Sequence, residues 1–511
     1  MCALAAVLAL QAGWFALTTS GTPDETTYLR AGLAIYQHGD FSALAEDGIA
    51  PLPVLLSFAA PALAGGGYAH AIRLARLSAI VLIGIPLVVL AYVTLLRTSG
   101  RAVAATGAAL LAFSPNMIAH SALAATDICF VAASLAALLA LARFVEARTG
   151  GRLLTLHLAL AVALAAKYSA ATLFPAAFIV LAVTDSERVG LARTGHALAQ
   201  VVGMVATSLL VVWALHGFAL APARLAVLGS TRVPAVVAGL VSQAQHQRGG
   251  HPAFLLGRTS NVGWWYYMPV ALALKSTTAE LVAIAFGLAA LATGWQRRSV
   301  DTLIWSVTAA VFATFTLVNR LGLGVRYGLL LVPLLLFLAL ERWGRDAAGR
   351  VLLGGCIALV GLQAASAFAI GPHYLSYFNR WSGGPSVGYR YLADSNIDWG
   401  QDLPAMRDAI ARLGGGRVLI SYFGNAPFDE YGVSASVWDS NVQRDFDRWD
   451  WAAISVTHLD GLFVPSDVFE PFRSVSPSAR AGHSILIYST KRDDVRAAMG
   501  EVARRWRAIV R

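Results

Sequence analysis

Charge is scarce in this sequence. Only 13% of its 511 residues are Asp, Glu, Lys or Arg, against about 25% in a soluble domain. That excludes a chain whose whole surface meets water. Lysine is nearly missing, with only Lys167, Lys275 and Lys491, so the formal charge of +10 comes from arginine. In a membrane protein such an excess sits in cytoplasmic loops, which argues for topology and against nucleic acid. Cysteine is equally scarce. Cys2, Cys129 and Cys356 each fall in an apolar run, and no CxxC or Cys/His cluster exists, which excludes a disulfide framework and a structural zinc site. The first twenty residues lack a basic leader segment and a small-residue cleavage site, so they read as a first helix and not as a cleaved signal peptide. No fixed-period repeat is present.

Apolar residues fill the space that charge leaves, at 57% of the chain and a mean hydropathy of +0.61. Runs near spanning length occur at 2–20, 77–96, 102–118, 128–145, 153–166, 168–184, 197–216, 267–294, 302–318, 327–340 and 351–370. The expected fold class is an all-α polytopic membrane protein of about eleven transmembrane helices, with a small α/β C-terminal extracytoplasmic domain. One alternating set of short loops carries twelve arginines: Arg97, Arg101, Arg143, Arg148, Arg152, Arg188, Arg193, Arg297, Arg298, Arg342, Arg345 and Arg350. The other set carries only Lys167, Arg320 and Arg326. The arginine-rich loops, and the N-terminus with them, are expected to face the cytoplasm. An odd helix count then puts the C-terminus outside. The domain reading is a membrane domain over 1–370, with outer loops 21–76 and 217–266, and an extracytoplasmic domain over 371–511. In the latter, 417–424, 452–459 and 483–490 read as buried strands and 402–413 as a helix. A final helix aligns Val495, Met499, Val502, Trp506 and Ile509 on one stripe, which either packs on its own domain or lies on lipid.

Ionisable residues at a membrane edge need a reason. The first outer loop opens with Thr22-Pro23-Asp24-Glu25-Thr26-Thr27-Tyr28. Pro23 suits a first helical turn, and carboxylates there complement the helix dipole. Glu25 is equally a candidate for that role and for catalysis, whereas Asp24 is read as functional because a second acid, Asp127, converges on the same edge. Thr126-Asp127 before an apolar run also makes a good helix cap, and the two roles are compatible. A carboxylate there can also share a divalent cation. His120, in Ser114-Pro115-Asn116-Met117-Ile118-Ala119-His120, is a weaker candidate. Cations on the same side suit a phosphate: Lys167, Arg326 between glycines that allow close backbone approach, and Arg258 and Lys275 flanking Gly263-Trp264-Trp265-Tyr266-Tyr267-Met268-Pro269. For Lys275, snorkelling to the interface is the simpler reading.

These motifs together, in this order, resemble bacterial lipid-linked-sugar glycosyltransferases of the GT-C fold, and look most like the protein mannosyltransferase and aminoarabinose transferase group. The later segments Tyr377-Phe378-Asn379, Ser382-Gly383-Gly384-Pro385 and Asp394-Ser395-Asn396-Ile397-Asp398-Trp399-Gly400-Gln401-Asp402 are similar to a stretch after the last helix in many members. The resemblance implies Asp24 as the catalytic aspartate, Asp127 as a supporting acid, Arg326 and Lys167 at the carrier phosphate, and Tyr28, Arg258, Lys275 and His120 around the substrate. It also implies the bacterial inner membrane, a polyprenyl-phosphate-linked sugar as donor, and a lipid, glycan or protein as acceptor. In one place the chain departs from the pattern. Relatives carry His-Pro-Pro-Leu or Lys-Pro-Pro-Leu late in the first loop, where this chain has Ile49-Ala50-Pro51-Leu52-Pro53.

On this reading an acceptor hydroxyl displaces the lipid phosphate with inversion, and one base suffices because phosphate is already a good leaving group. Two other classes compete. A secondary transporter would place its ionisable groups near the bilayer midplane on broken helices, and a structural subunit of an envelope complex would have no use for edge acids.

Overall fold

The computed structural model describes residues 1–225, 229–293, 299–319, 321–346, 349–438 and 446–510. Arg297, Arg298 and Arg320, which entered the loop-charge argument, lie outside them. Five described helices are long and apolar enough to cross a bilayer: Tyr68–Leu96, Thr126–Glu146, Gly190–Leu215, Val300–Val318 and Gly349–Ile370. Two bent pairs bring the number to seven if each counts as one span. Cys2–Thr18 and Pro23–His38 meet at 91°, and Arg101–Ala112 and Pro115–Ala122 at 63°. Pro51–Ala64, Gly150–Ala166, Tyr168–Thr184 and Thr278–Ala289 are apolar but only 10–17 residues long. At a rise of 1.5 Å per residue such helices fall short of a hydrocarbon core about 30 Å thick. By length, five to seven spans therefore stand where eleven were expected.

Both bends have local causes. Thr19 is extended (φ −120°, ψ 153°), and Thr22 then caps a new helix in a reciprocal box with Glu25, with Pro23 supplying an N-terminus that needs no N–H. At the second bend Pro115 pushes Ser114 out of helical geometry (φ −72°, ψ 119°), and the Ser114 hydroxyl accepts from Met117 N. The apolar run 267–294 is likewise two helices, Tyr267–Lys275 and one beginning at Thr278. Thr277 N donates to Glu280 Oε2 at 2.9 Å, and Glu280 N to Thr277 Oγ1 at 3.1 Å, so the restart is capped in both directions. The first outer segment is mostly helical too, with Pro23–His38, Ser42–Glu46 and Pro51–Ala64.

After the last span the chain forms a five-stranded sheet in the order Ala435–Val437, Val418–Ser421, Trp451–Ser455, Ile485–Ser489, Ala479–Ala481. The first three strands are parallel and the last two pair antiparallel. All three strands read from the sequence are present, as is the helix Leu403–Arg412. Val495, Met499 and Val502 of the last helix are fully buried, so its stripe packs on its own domain. Polar threads tie this region to the helices. Ser20 Oγ donates to Gly400 O at 2.7 Å and Gly21 N to the Tyr431 hydroxyl at 3.1 Å, while Tyr68 N donates to Glu430 Oε1 at 3.1 Å.

Candidate active site

The bend after the first helix and the turn before Thr126–Glu146 lie against each other, since Ala124 N donates to Glu25 Oε1 at 3.1 Å. That contact sets Asp24 and Asp127, about a hundred positions apart in the chain, on one cavity edge. Two cations complete the group. Arg326 Nη1 lies 2.7 Å from Asp24 Oδ2 and 3.7 Å from Asp127 Oδ2, and Lys167 Nζ lies 2.5 Å from Asp127 Oδ1. Asp24, Lys167 and Arg326 line a cavity of about 660 Å³, a size typical of small-molecule sites. Asp127 is 1% exposed and Asp24 30%. Asp127 therefore holds the cations from behind, while Asp24 remains reachable. Asp127 Oδ2, Arg326 Nε and His120 Nδ1 are buried without a hydrogen-bond partner, which marks a polar site with capacity left for a ligand.

Arg326 is placed by packing on both sides. Its guanidinium lies 4.2 Å from the centre of the Trp399 ring, and Lys167 Nζ lies 4.3 Å from that of Tyr327. Val325 N donates to Asn396 Oδ1 at 3.0 Å, and the Ser395 hydroxyl bonds Leu323 O. Gly324 has φ +114°, and a Cβ there would stand 2.7 Å from Ser395 Oγ. Of the glycines beside Arg326, Gly324 makes its close approach to Ser395 and Asn396, and Gly328 to Met268.

Several expected residues sit elsewhere. Glu25 is fully buried in a two-pronged pair with Arg76 (2.7 and 2.8 Å) and also accepts from Thr22 N. Its oxygens are saturated, so it holds helices together. Lys275 is buried too; its ammonium donates to Leu375 O at 2.8 Å and Asn396 O at 2.5 Å, pinning the last segment to the helices instead of snorkelling. Arg258 is exposed on the short strand Arg258–Ser260, away from the cavity wall. His120 is buried 4.0 Å from Asp127 Oδ2 and is not part of the wall. Tyr28 does line it.

Sequence reasoning missed Trp399, Asp394 and Arg76. Trp399 and Asp394 stood in a motif noted only for its resemblance, and Arg76 was read as membrane boundary. Where relatives carry a basic residue, Ile49 and Ala50 line the cavity, so that stretch of wall is uncharged. A divalent cation would have to compete with Lys167 and Arg326 for the two aspartates. Among the described residues no three His, Cys, Asp or Glu side chains stand together as metal ligands.

Residues 51–213 match the family described as dolichyl-phosphate-mannose-protein mannosyltransferase, a stretch that includes Asp127 and Lys167. The crystal structure of ArnT from Cupriavidus metallidurans bound to undecaprenyl phosphate is similar over 96% of this chain and 98% of its own, at 14% identity and a TM-score of 0.52. The same protein in its apo state is similar over 96% and 97%, at 14% identity and a TM-score of 0.51. That likeness shows the fold. No curated protein matches in sequence. With the family match confined to residues 51–213 and the shared fold running almost end to end, the chain has the fold of the ArnT structure, is a multi-pass membrane protein, and is similar over that stretch to the dolichyl-phosphate-mannose-protein mannosyltransferases.

Proposed function

We propose that this protein moves a sugar from a polyprenyl-phosphate carrier to an acceptor hydroxyl at the outer face of the cytoplasmic membrane, with inversion at the anomeric carbon. The observation that carries the reading is the pairing of two cavity-lining cations, Lys167 and Arg326, with a reachable carboxylate on the wall, Asp24, and a buried one behind it, Asp127. Lys167 and Arg326 receive the carrier phosphate, whose charge they oppose in a partly dry site. Arg326 keeps Nε unpartnered, so a guanidinium edge is free for a phosphate oxygen. The acceptor oxygen bonds to the anomeric carbon, the carbon–oxygen bond to phosphate breaks, and polyprenyl phosphate leaves with both electrons. Asp24 takes the hydroxyl proton as the bond forms. Asp127 touches neither reactant and fixes Lys167 and Arg326 in place.

Residues 1–370 form the catalytic membrane domain in this reading, and residues 371–511 lie outside with the reaction. The twelve arginines of the opposite loops support that orientation. The relative ArnT, bound to undecaprenyl phosphate, supports a carrier of that chemistry. The test is turnover of radiolabelled polyprenyl-phosphate sugars by the purified protein. Release of free polyprenyl phosphate with label in an acceptor supports the proposal. Passage of an intact sugar-carrier across a vesicle without cleavage would make it a transporter. An alkaline phosphatase fused after residue 400 is active if the orientation is right and silent if it is inverted.

A further inference from the structure

The cavity wall carries a carboxylate that the mechanism leaves idle. Asp394 lies there, 5% exposed, in a left-handed backbone conformation (φ 56°) that non-glycine residues seldom adopt. That conformation is held from several sides. Asp394 N donates to Thr457 Oγ1 at 3.2 Å, its carbonyl accepts from Ile397 N and Asp398 N at 2.9 Å each, and its Oδ1 accepts from Ser395 N at 2.5 Å. Its Oδ2 takes no hydrogen bond from any described residue. The same wall carries Phe423 and Phe463, stacked face to face at 5.0 Å and 15°, and Asn425.

Asp394 suits neither reactant group already placed. A carboxylate repels the phosphate that Lys167 and Arg326 attract, and buried polar atoms do not suit a prenyl chain. A sugar ring matches it: hydroxyls to donate to a free carboxylate oxygen, and a C–H face to lie against aromatic carbon. Asp394 also feels the fields of Arg326 and Asp24, so a ring held there stays next to the phosphate grip and the base. We propose that Asp394, with Asn425 and the Phe423–Phe463 pair, is the subsite that holds the transferred sugar ring and sets which carrier-linked sugar is accepted. This rests on the donor reading above. Asp394 is a specificity residue here, and the backbone strain at its position is what keeps the free oxygen aimed at the ring.

The test separates sugar from carrier. Purified protein in detergent is titrated with bare undecaprenyl phosphate and with undecaprenyl phosphate bearing mannose, glucose, galactose, xylose or 4-aminoarabinose. The parent should prefer at least one loaded carrier over the bare one by about tenfold, the worth of one or two net hydrogen bonds. Asp394→Asn keeps the Ser395 contact and tolerates the left-handed backbone. It should erase that preference and leave the affinity for bare carrier unchanged. Phe463→Ala removes the stacked face without touching Asp394 and should reduce the preference in the same direction; it decides the matter if Asp394→Asn does not fold. A parent with no preference, a variant that keeps it, or equal loss for bare and loaded carriers overturns the subsite. Preference without any transfer by the parent instead refutes the transferase reading, so the two failures are distinguishable.

Discussion

Asp24 and Glu25 are neighbours on one helical turn, each paired with an arginine, and their surroundings give them opposite work. Glu25 is fully buried with no free valence: Arg76, Thr22 N and Ala124 N use up its oxygens. Asp24 sits at a cavity mouth, with Arg326 on one oxygen and space beyond. In the proposed mechanism, what separates the structural carboxylate from the reactive one is saturation, not charge or partner type.

That contrast can be broken first at Asp24. Asp24→Asn keeps the size and the helix start but cannot take a proton, so sugar transfer should fall about 10²–10⁴-fold with the melting temperature unchanged. Near-parental transfer would move the base elsewhere. Glu25→Ala should do the reverse, costing about 3–5 kcal/mol of stability because Arg76 is left buried and uncompensated, while the protein that does fold still transfers sugar. A stable but inactive Glu25→Ala, seen by melting and turnover together, would erase the distinction.

Arg326→Lys gives a smaller effect. A point charge keeps the attraction and loses the planar fork, so donor KM should rise about tenfold, as for one lost charge-assisted hydrogen bond; Arg326→Ala should be worse, and an unchanged KM in both would leave Arg326 with Asp24 alone. The smallest effect belongs to an intermediate case. Asp402 Oδ2 is saturated by Ser484 Oγ at 2.8 Å and by His483 N and Ser484 N at 3.3 Å each, while Oδ1 faces His373 Nδ1 at 3.4 Å. Burial opposes charge on both partners, yet each outweighs it for the other, so His373 is held above its ordinary pKa and Asp402 below its own. The pair therefore adds stability in full below the ordinary histidine value of about 6.5, and loses it as pH rises through the elevated value of His373. On the acid side it is lost as pH falls through the depressed value of Asp402. The melting temperature of the parent should decline with pH across the first of these windows, and that of His373→Gln should be flatter there. Parallel profiles would remove the pair from the account.

Much of the reactive half was legible beforehand. Asp24, Asp127, Lys167 and Arg326 stand out because a charged residue beside an apolar run has few reasons to be there, and loop arginines give the side on which they meet. The difference between Asp24 and Glu25 was not legible, since it depends on Arg76, fifty-one positions away from Glu25. Lys275 misled for the same reason: its carbonyl partners come from the far end of the chain. The count of eleven spans is not confirmed, because apolar composition is blind to helix length: the runs 153–166 and 168–184 form helices of only 10–17 residues, and the run 267–294 breaks after Lys275 and restarts at Thr278. Trp399 stood in plain view within Ile397-Asp398-Trp399-Gly400, but nothing in a sequence says that an indole after the last helix will lie on a guanidinium before it.

The stacking of Trp399 on Arg326 has a consequence in time. Synthesis delivers Asp24, Asp127 and Lys167 early, whereas Arg326, Asp394 and Trp399 follow well after them. A nascent chain halted after Val300–Val318 holds both carboxylates and one cation, with no guanidinium between them and no indole to press it into place. In the proposed mechanism a chain of that length could hold an acceptor's proton but could not grip the carrier phosphate, so the two halves of the reaction would become possible at different lengths of chain.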